Sequence, residues 1–203
     1  MNAEIAGNER RKARKRNEII KGAIQAFQRE GYERASMDLV AELAGASKRT
    51  VYNHFASKKD LLWEVIAELM AGQQTQKPIL YSKDESLKAQ LGRFADAQMY
   101  FILDPERLSI VRLLTSIFLQ NEALRDEASQ GNQCQPDPLI PWLKAAIKDK
   151  RIQAKEPELA AKMFRGLIEG SINYPALYEP QKTAAELKPL KEEIIALFLS
   201  RYG

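Results

Sequence analysis

Arg10, Arg11, Lys12, Arg14, Lys15 and Arg16 fill six of seven consecutive positions. Cations at this density attract polyanions, and a nucleic-acid backbone is the partner they suit best. A run of this kind is equally compatible with a solvated terminus, so it needs a reading element beside it. Little else in the chain offers reactive chemistry. The one cysteine, Cys134, stands in a polar Gln/Pro stretch, and the one histidine, His54, is far from it in sequence. There is no GxxxxGK[ST], HExxH, CxxC or GxSxG pattern. We therefore expect no catalytic residue, no cofactor, no metal site and no enzyme activity. A lone cysteine also excludes an internal disulfide framework and fits a reducing cytoplasm.

The net charge of +4 is unevenly placed. Residues 1–63 hold 13 Lys/Arg against 8 Asp/Glu, a net of +5. Of the totals of 31 basic and 27 acidic residues, 18 and 19 lie beyond residue 63, a net of −1. No uncharged run exceeds nine residues, well short of the ~20 needed to span a membrane. The first residues lack the apolar core of a signal peptide. No membrane partner and a cytoplasmic location are the expectations.

The elements that must position the basic side chains read as helices throughout. Ile20, Ala23, Ile24 and Phe27 fall on one helical face, predicting a helix over 10–30 that stops at Gly31. Ser36 caps a short second helix carrying Met37, Val40, Ala41 and Ala44, which Gly45 interrupts. Ser47 caps a third over 48–54, and Ser57 with Asp60 opens a fourth running to about Met70. The polar segment 71–84 marks a boundary, giving domains at 1–70 and 71–203. Beyond it the periodicity predicts helices over 85–103, 105–120, 122–131, 139–150, 157–173 and 184–201, punctuated by prolines and Gly131. The fold class is all-α.

Two short helices about Gly45 form the reading element. A helix-turn-helix needs a small residue at the crossing, a glycine in the turn and an apolar plug on the second helix. Ala41, Gly45 and Val51 supply them at offsets 0, +4 and +10. The second helix then presents Lys48, Arg49, Thr50, Tyr52 and Asn53, donors able to read base edges or hold phosphates in a major groove. An ordinary αα corner would share the spacing, but not this density of exposed donors beside a basic terminus.

The stretch 19–66 resembles the DNA-binding domain of TetR-type transcriptional regulators. The matching pieces are Phe27, Gly31-Tyr32, Ser36, Ala44-Gly45-Ala46-Ser47-Lys48, Thr50-Val51-Tyr52-Asn53-His54-Phe55 and Ser57-Lys58-Lys59-Asp60-Leu61. The segment RLSIVRLLTSIFLQNEAL and the Pro-Trp helix after it resemble, less closely, the C-terminal domain of the AefR-like subgroup. The resemblance implies an N-terminal three-helix helix-turn-helix domain and a C-terminal helical bundle that binds a ligand and dimerises. Many members carry Gly and Val where this chain has Arg49 and Ala46, so base preference does not transfer from a relative.

Carried over by position, Ser36, Tyr52, His54 and Lys58 are expected to face phosphates. Lys48, Arg49, Thr50 and Asn53 would make base or mixed contacts, Ser47 is a further DNA-binding candidate, and Arg14 and Arg16 in the basic arm would follow the backbone or enter a minor groove. The expected partners are a double-stranded, palindromic operator and a second copy of the chain, since one helix-turn-helix discriminates poorly alone.

In the last helix Leu187, Leu190, Ile194, Leu197 and Phe198 form one stripe. The preceding helix brings Leu167 and Gly170, and Tyr174 directly follows it. The resemblance implies that Leu167, Gly170, Tyr174, Leu190, Ile194, Leu197 and Phe198 meet a second subunit. Aromatic and aliphatic residues of the middle helices read first as plain core. The resemblance implies that some line an effector pocket, for which Phe94, Gln98, Phe101, Ile117, Asn121, Trp142, Phe164 and Ile168 are the candidates. The function expected is a regulator, a repressor released by a small-molecule effector. The alternatives are an activator, or a helical adaptor or architectural DNA-binding protein without an effector.

Overall fold

The computed structural model of the protein describes residues 2–74, 78–132 and 137–203; Cys134 lies outside the described residues. Among these residues there is helix and no strand, as the all-α reading expects. The order is α1 (Asn2–Glu30), α2 (Met37–Leu43), α3 (Lys48–His54), α4 (Lys58–Gln74), α5 (Leu87–Gln98), α6 (Pro105–Gln120), α7 (Glu122–Asn132), α8 (Leu139–Lys148), α9 (Pro157–Ile168), α10 (Tyr174–Ala176) and α11 (Ala184–Tyr202). A π-helical turn, Glu169–Asn173, joins α9 to α10. The chain divides into two compact units. One is Met1–Gln74 with Leu113–Gln120, and the other is Thr75–Arg112 with Asn121–Gly203.

The first unit is built around Ile19, Ile20, Ala23, Phe27, Val40, Val51, Leu61 and Leu62, each at most 2% exposed. Helix α2 ends in a Schellman motif. The Ala46 N–H donates to the Ala41 carbonyl at 2.9 Å and the Gly45 N–H to the Glu42 carbonyl at 3.1 Å. Gly45 takes φ +53, the left-handed conformation this motif requires. The turn between α2 and α3 is thus fixed by backbone bonds rather than by loop packing.

In the second unit α5, α8, α9 and α11 enclose a core that includes Leu91, Phe94, Trp142, Leu143, Phe164, Ile168, Ile194 and Phe198. Among the described residues, one polar residue is fully buried there: Gln90, at 0% exposure. Helix α11 opens with a complete capping box, Thr183 and Glu186 each bonding the other's backbone N–H.

Three boundaries differ clearly from the periodicity, the first being that of α1, which starts at Asn2 rather than at 10. The helix expected over 85–103 stops at Gln98, and residues 99–104 turn back to α6. Side chains from outside α5 satisfy two of the carbonyls there. Arg107 Nε donates to the Tyr100 carbonyl at 3.1 Å, and Gln181 Nε2 to that of Ile102 at 2.9 Å. Helix α9 widens into its π turn just ahead of Pro175. Proline has no N–H for the carbonyl four residues back, and its ring displaces that carbonyl.

Helix α8 also ends in a Schellman motif, Lys150 N–H to the Ile147 carbonyl at 2.9 Å and Arg151 N–H to that of Ala146 at 3.0 Å. Here the left-handed position, φ 58, is held by Lys150, which has a Cβ. The left-handed conformation costs an L-residue roughly 1–2 kcal/mol, partly offset in glycine by its larger unfolded-state entropy. Lys150→Gly is expected to raise stability by about 0.5–1 kcal/mol in urea unfolding. A lower midpoint would contradict this account of the α8 terminus.

Candidate nucleic-acid interface

Helix α3 is held from both ends. Ser47 Oγ accepts the Thr50 N–H at 3.1 Å and contacts Thr50 Oγ1 at 2.7 Å, so both hydroxyls serve the first turn. Val51 is 0% exposed and plugs the helix onto its unit. With Val51 inward, Arg49, Tyr52 and Asn53 face outward; Tyr52 is 46% exposed, high for a large aromatic. Ser36 is spent as a cap, accepting the Leu39 N–H at 3.1 Å.

The other basic residues fall into two groups. Arg10, Arg11 and Lys12 are exposed and carry no ion pair among the described residues. They lie within the continuous helix α1, so this part of the chain presents its cations around a helix rather than along an extended arm. Arg14 is also exposed, 3.6 Å from Glu18. Lys15 pairs with Glu18 and comes within 3.5 Å of the Gly45 carbonyl. Arg16 pairs with Glu64 of α4 and lies over the Phe55 ring at 5.1 Å. The Arg16 guanidinium holds the Glu64 carboxyl below the usual range. Arg16 therefore clamps α1 to α4.

Lys58 is engaged too. Its ammonium donates to the Glu33 carbonyl at 2.9 Å and to the Tyr32 carbonyl, with the Tyr32 ring face 4.5 Å away. It ties the start of α4 to the loop between α1 and α2, and one N–H remains for a phosphate. His54 is half-buried in the last turn of α3. Burial first, then the charges of Lys12 and Arg16, holds its imidazole below the usual histidine range. At neutral pH the free chain carries it as the uncharged ring. Lys48, first in α3, is paired with Asp38 of α2 at 2.8 Å.

The second unit places its expected residues as follows. Trp142 donates its N–H to Gln90 Oε1 at 2.9 Å, with Phe94 and Tyr81 packed edge-on at 5.7 and 5.8 Å. Phe164 packs edge-on against Phe198 at 5.1 Å, and Ile168 is fully buried. Gln98 and Phe101 are half-buried, and Phe101 packs on Tyr100 at 5.3 Å. Asn121 caps α7, accepting the Leu124 N–H at 3.1 Å. Ile117 belongs to the stretch that groups with the first unit. A cleft of about 600 Å³ lies elsewhere, lined by Ile147, Lys155, Leu159, Arg201 and Tyr202 among others.

Of the residues expected at a subunit interface, Ile194 and Phe198 are 2% exposed and belong to the protomer's own core. Leu190, Leu197 and Tyr174 are 38%, 51% and 60% exposed, and Leu159 and Met163 continue the exposed apolar surface. Leu167 is half-buried and Gly170 exposed.

Sequence reasoning passed over Asp38, Glu64, Gln90 and Gly22. Only Asp38 carried a signal, a carboxylate ten residues before Lys48 in a basic region.

These features define a helix-turn-helix DNA-binding protein with a second, all-helical unit. Residues 19–65 match the family described as bacterial regulatory proteins, tetR family. Residues 89–203 match the AefR-like transcriptional repressor C-terminal domain. The chain belongs to the TetR family and is a DNA-binding transcriptional regulator. It is 27% identical over 159 residues to the HTH-type transcriptional regulator YhgD of Bacillus subtilis, covering 74% of this chain and 80% of that one. The crystal structure of a TetR-family regulator from Pseudomonas syringae pv. tomato is similar with a TM-score of 0.73 at 28% identity, covering 92% of this chain and 96% of the other. A TetR-family regulator from Mesorhizobium loti gives 0.75 at 28% identity, covering 95% and 98%.

Proposed function

We propose that this regulator is a homodimeric repressor that reads a palindromic operator with α3 and leaves it when a small molecule binds the second unit. It would act in the cytoplasm, where the bacterial chromosome lies. The observation that carries the reading is the outward set Arg49, Tyr52 and Asn53 on a helix fixed by Val51 and Ser47, beside Arg10, Arg11 and Lys12, which carry no ion pair among the described residues. Ser36, Ser47 and Thr50 spend oxygen atoms on caps, so base reading falls chiefly to Arg49 and Asn53. Tyr52, His54, Lys58 and Arg14 suit phosphates.

Dimerisation is supported by the exposed face of Leu159, Met163, Tyr174, Leu190 and Leu197. Gly166 and Gly170 on the same stretch allow close helix approach. Two half-sites about one DNA turn apart, ~34–36 Å, follow from two-fold symmetry. Residues 1–70 then serve as the DNA-binding domain and 71–203 as the effector and dimer domain. Release is a population shift, in which the effector binds more tightly to dimers whose two α3 helices are wrongly spaced.

A gel-shift assay on the DNA upstream of the gene tests the reading directly. It fails if no sequence-specific, salt-sensitive complex forms. Arg49→Ala is expected to relax preference at one base pair by about 1–3 kcal/mol, roughly 5- to 150-fold. Tyr52→Ala should weaken specific and random duplexes alike. Equal losses for Arg49→Ala on both duplexes would remove it from base reading.

A further inference from the structure

Lys48 stands at the first position of α3, the positive end of the helix dipole, where a cation is disfavoured. What holds it there is Asp38, in the first turn of α2, where a carboxylate is favoured. The ammonium lies 2.8 Å from Oδ1 and 3.1 Å from Oδ2, and both side chains are more than 60% exposed. The pair thus sits at the solvent-facing N-terminal end of the recognition helix. It places an acidic group on an otherwise cationic reading surface.

We propose that Asp38 is a specificity-determining residue that limits sequence-independent DNA binding by holding Lys48. On random DNA Lys48 stays on Asp38 and neutralises no phosphate, which forfeits about one ionic contact. At a matched site the carboxylate accepts a hydrogen bond from a cytosine or adenine amino group in the major groove, and Lys48 is released to the backbone. The handicap therefore falls on wrong sequences.

The test uses the full chain, a random-sequence duplex and a duplex enriched from a random pool, each titrated at several salt concentrations. One additional neutralised phosphate steepens the salt slope by about 0.9 and is worth about eightfold at 0.1 M salt relative to 1 M. Asp38→Asn should bind the random duplex about eightfold more tightly with that steeper slope, while the enriched duplex changes less than twofold. In a Lys48→Ala background Asp38→Asn should lose this effect. The proposal is overturned if Asp38→Asn leaves random binding within twofold of the parent, or tightens both duplexes equally. It is equally overturned if the gain persists without Lys48. Thermal melting confirms that each variant is folded. A parent chain that binds neither duplex points instead to failure of the DNA-binding reading.

Discussion

Gln90→Leu is expected to lower the stability of the protein by about 2–5 kcal/mol, although it replaces a buried polar side chain with an apolar one of similar size. The amide uses its full bonding capacity. Oε1 accepts the Ser82 N–H at 2.9 Å and the Trp142 N–H at 2.9 Å. Nε2 donates to the Ser82 carbonyl at 2.7 Å and the Glu85 carbonyl at 3.1 Å. The two carbonyls survive the loss, because Arg151 also donates to them, at 3.1 and 2.8 Å. The two N–H groups do not: the buried Trp142 donor costs about 1–3 kcal/mol and the part-buried Ser82 donor about 1–2.

A double-mutant cycle separates this account from simple mispacking. Trp142→Phe removes one orphan at its source, so Gln90→Leu should cost at least about 1 kcal/mol less in that background. Urea unfolding gives all four values. A Gln90→Leu protein as stable as the parent, or strictly additive costs, would show that the amide does not organise this part of the core.

What the sequence discloses is what local rules control. Ser36 and Ser47 are caps because a short hydroxyl before an apolar-periodic stretch has a nearby N–H to accept. Gly45 is a turn residue because only glycine takes φ +53 without penalty. The recognition helix was legible for the same reason, its length and plug being written within ten residues.

Long-range partnerships were not legible. Arg16 is one of six clustered cations by sequence, yet a carboxylate 48 residues away commits it to holding two helices together. The stripe on α11 gave no means of separating Ile194 and Phe198, which the protomer buries, from Leu190 and Leu197, which it leaves exposed. A period of 3.6 reports that a face is apolar and not which neighbour covers it. Gln90 was passed over because polarity on an apolar face reads as noise until its four partners are in place. The end of α5 was missed because Arg107 and Gln181, not the α5 residues, satisfy the carbonyls that follow it.

The same limit gives Gly22→Ala an unexpected sign. In an open helix interior, glycine to alanine stabilises by up to about 1 kcal/mol. A Cβ on Gly22 of α1 would lie 2.9 Å from Ala44 N, 3.0 Å from Ala44 Cβ and 3.0 Å from the Val40 carbonyl oxygen. Those are backbone atoms and a methyl group, with no flexible end to move aside. The Ala44 N–H and Val40 carbonyl are also bonded to each other at 2.9 Å, in the last turn before Gly45. The added methyl therefore presses on the bond that closes α2, and relief requires moving α1 or opening the turn that aims α3.

Overpacking of this kind costs about 1–3 kcal/mol, which exceeds the propensity gain. We expect Gly22→Ala to be net destabilising and to weaken binding to all DNA at least tenfold, because the displaced element positions every reading residue at once. Gly92 on α5 supplies the control, since nothing lies within 4 Å of its added Cβ. Gly92→Ala should raise stability by up to about 1 kcal/mol and leave DNA binding unchanged. If the two substitutions stabilise alike, the close approach of α1 to the turn is not what fixes the recognition helix. If only Gly22→Ala fails, the methyl-sized space above Ala44 sets the angle at which α3 meets DNA.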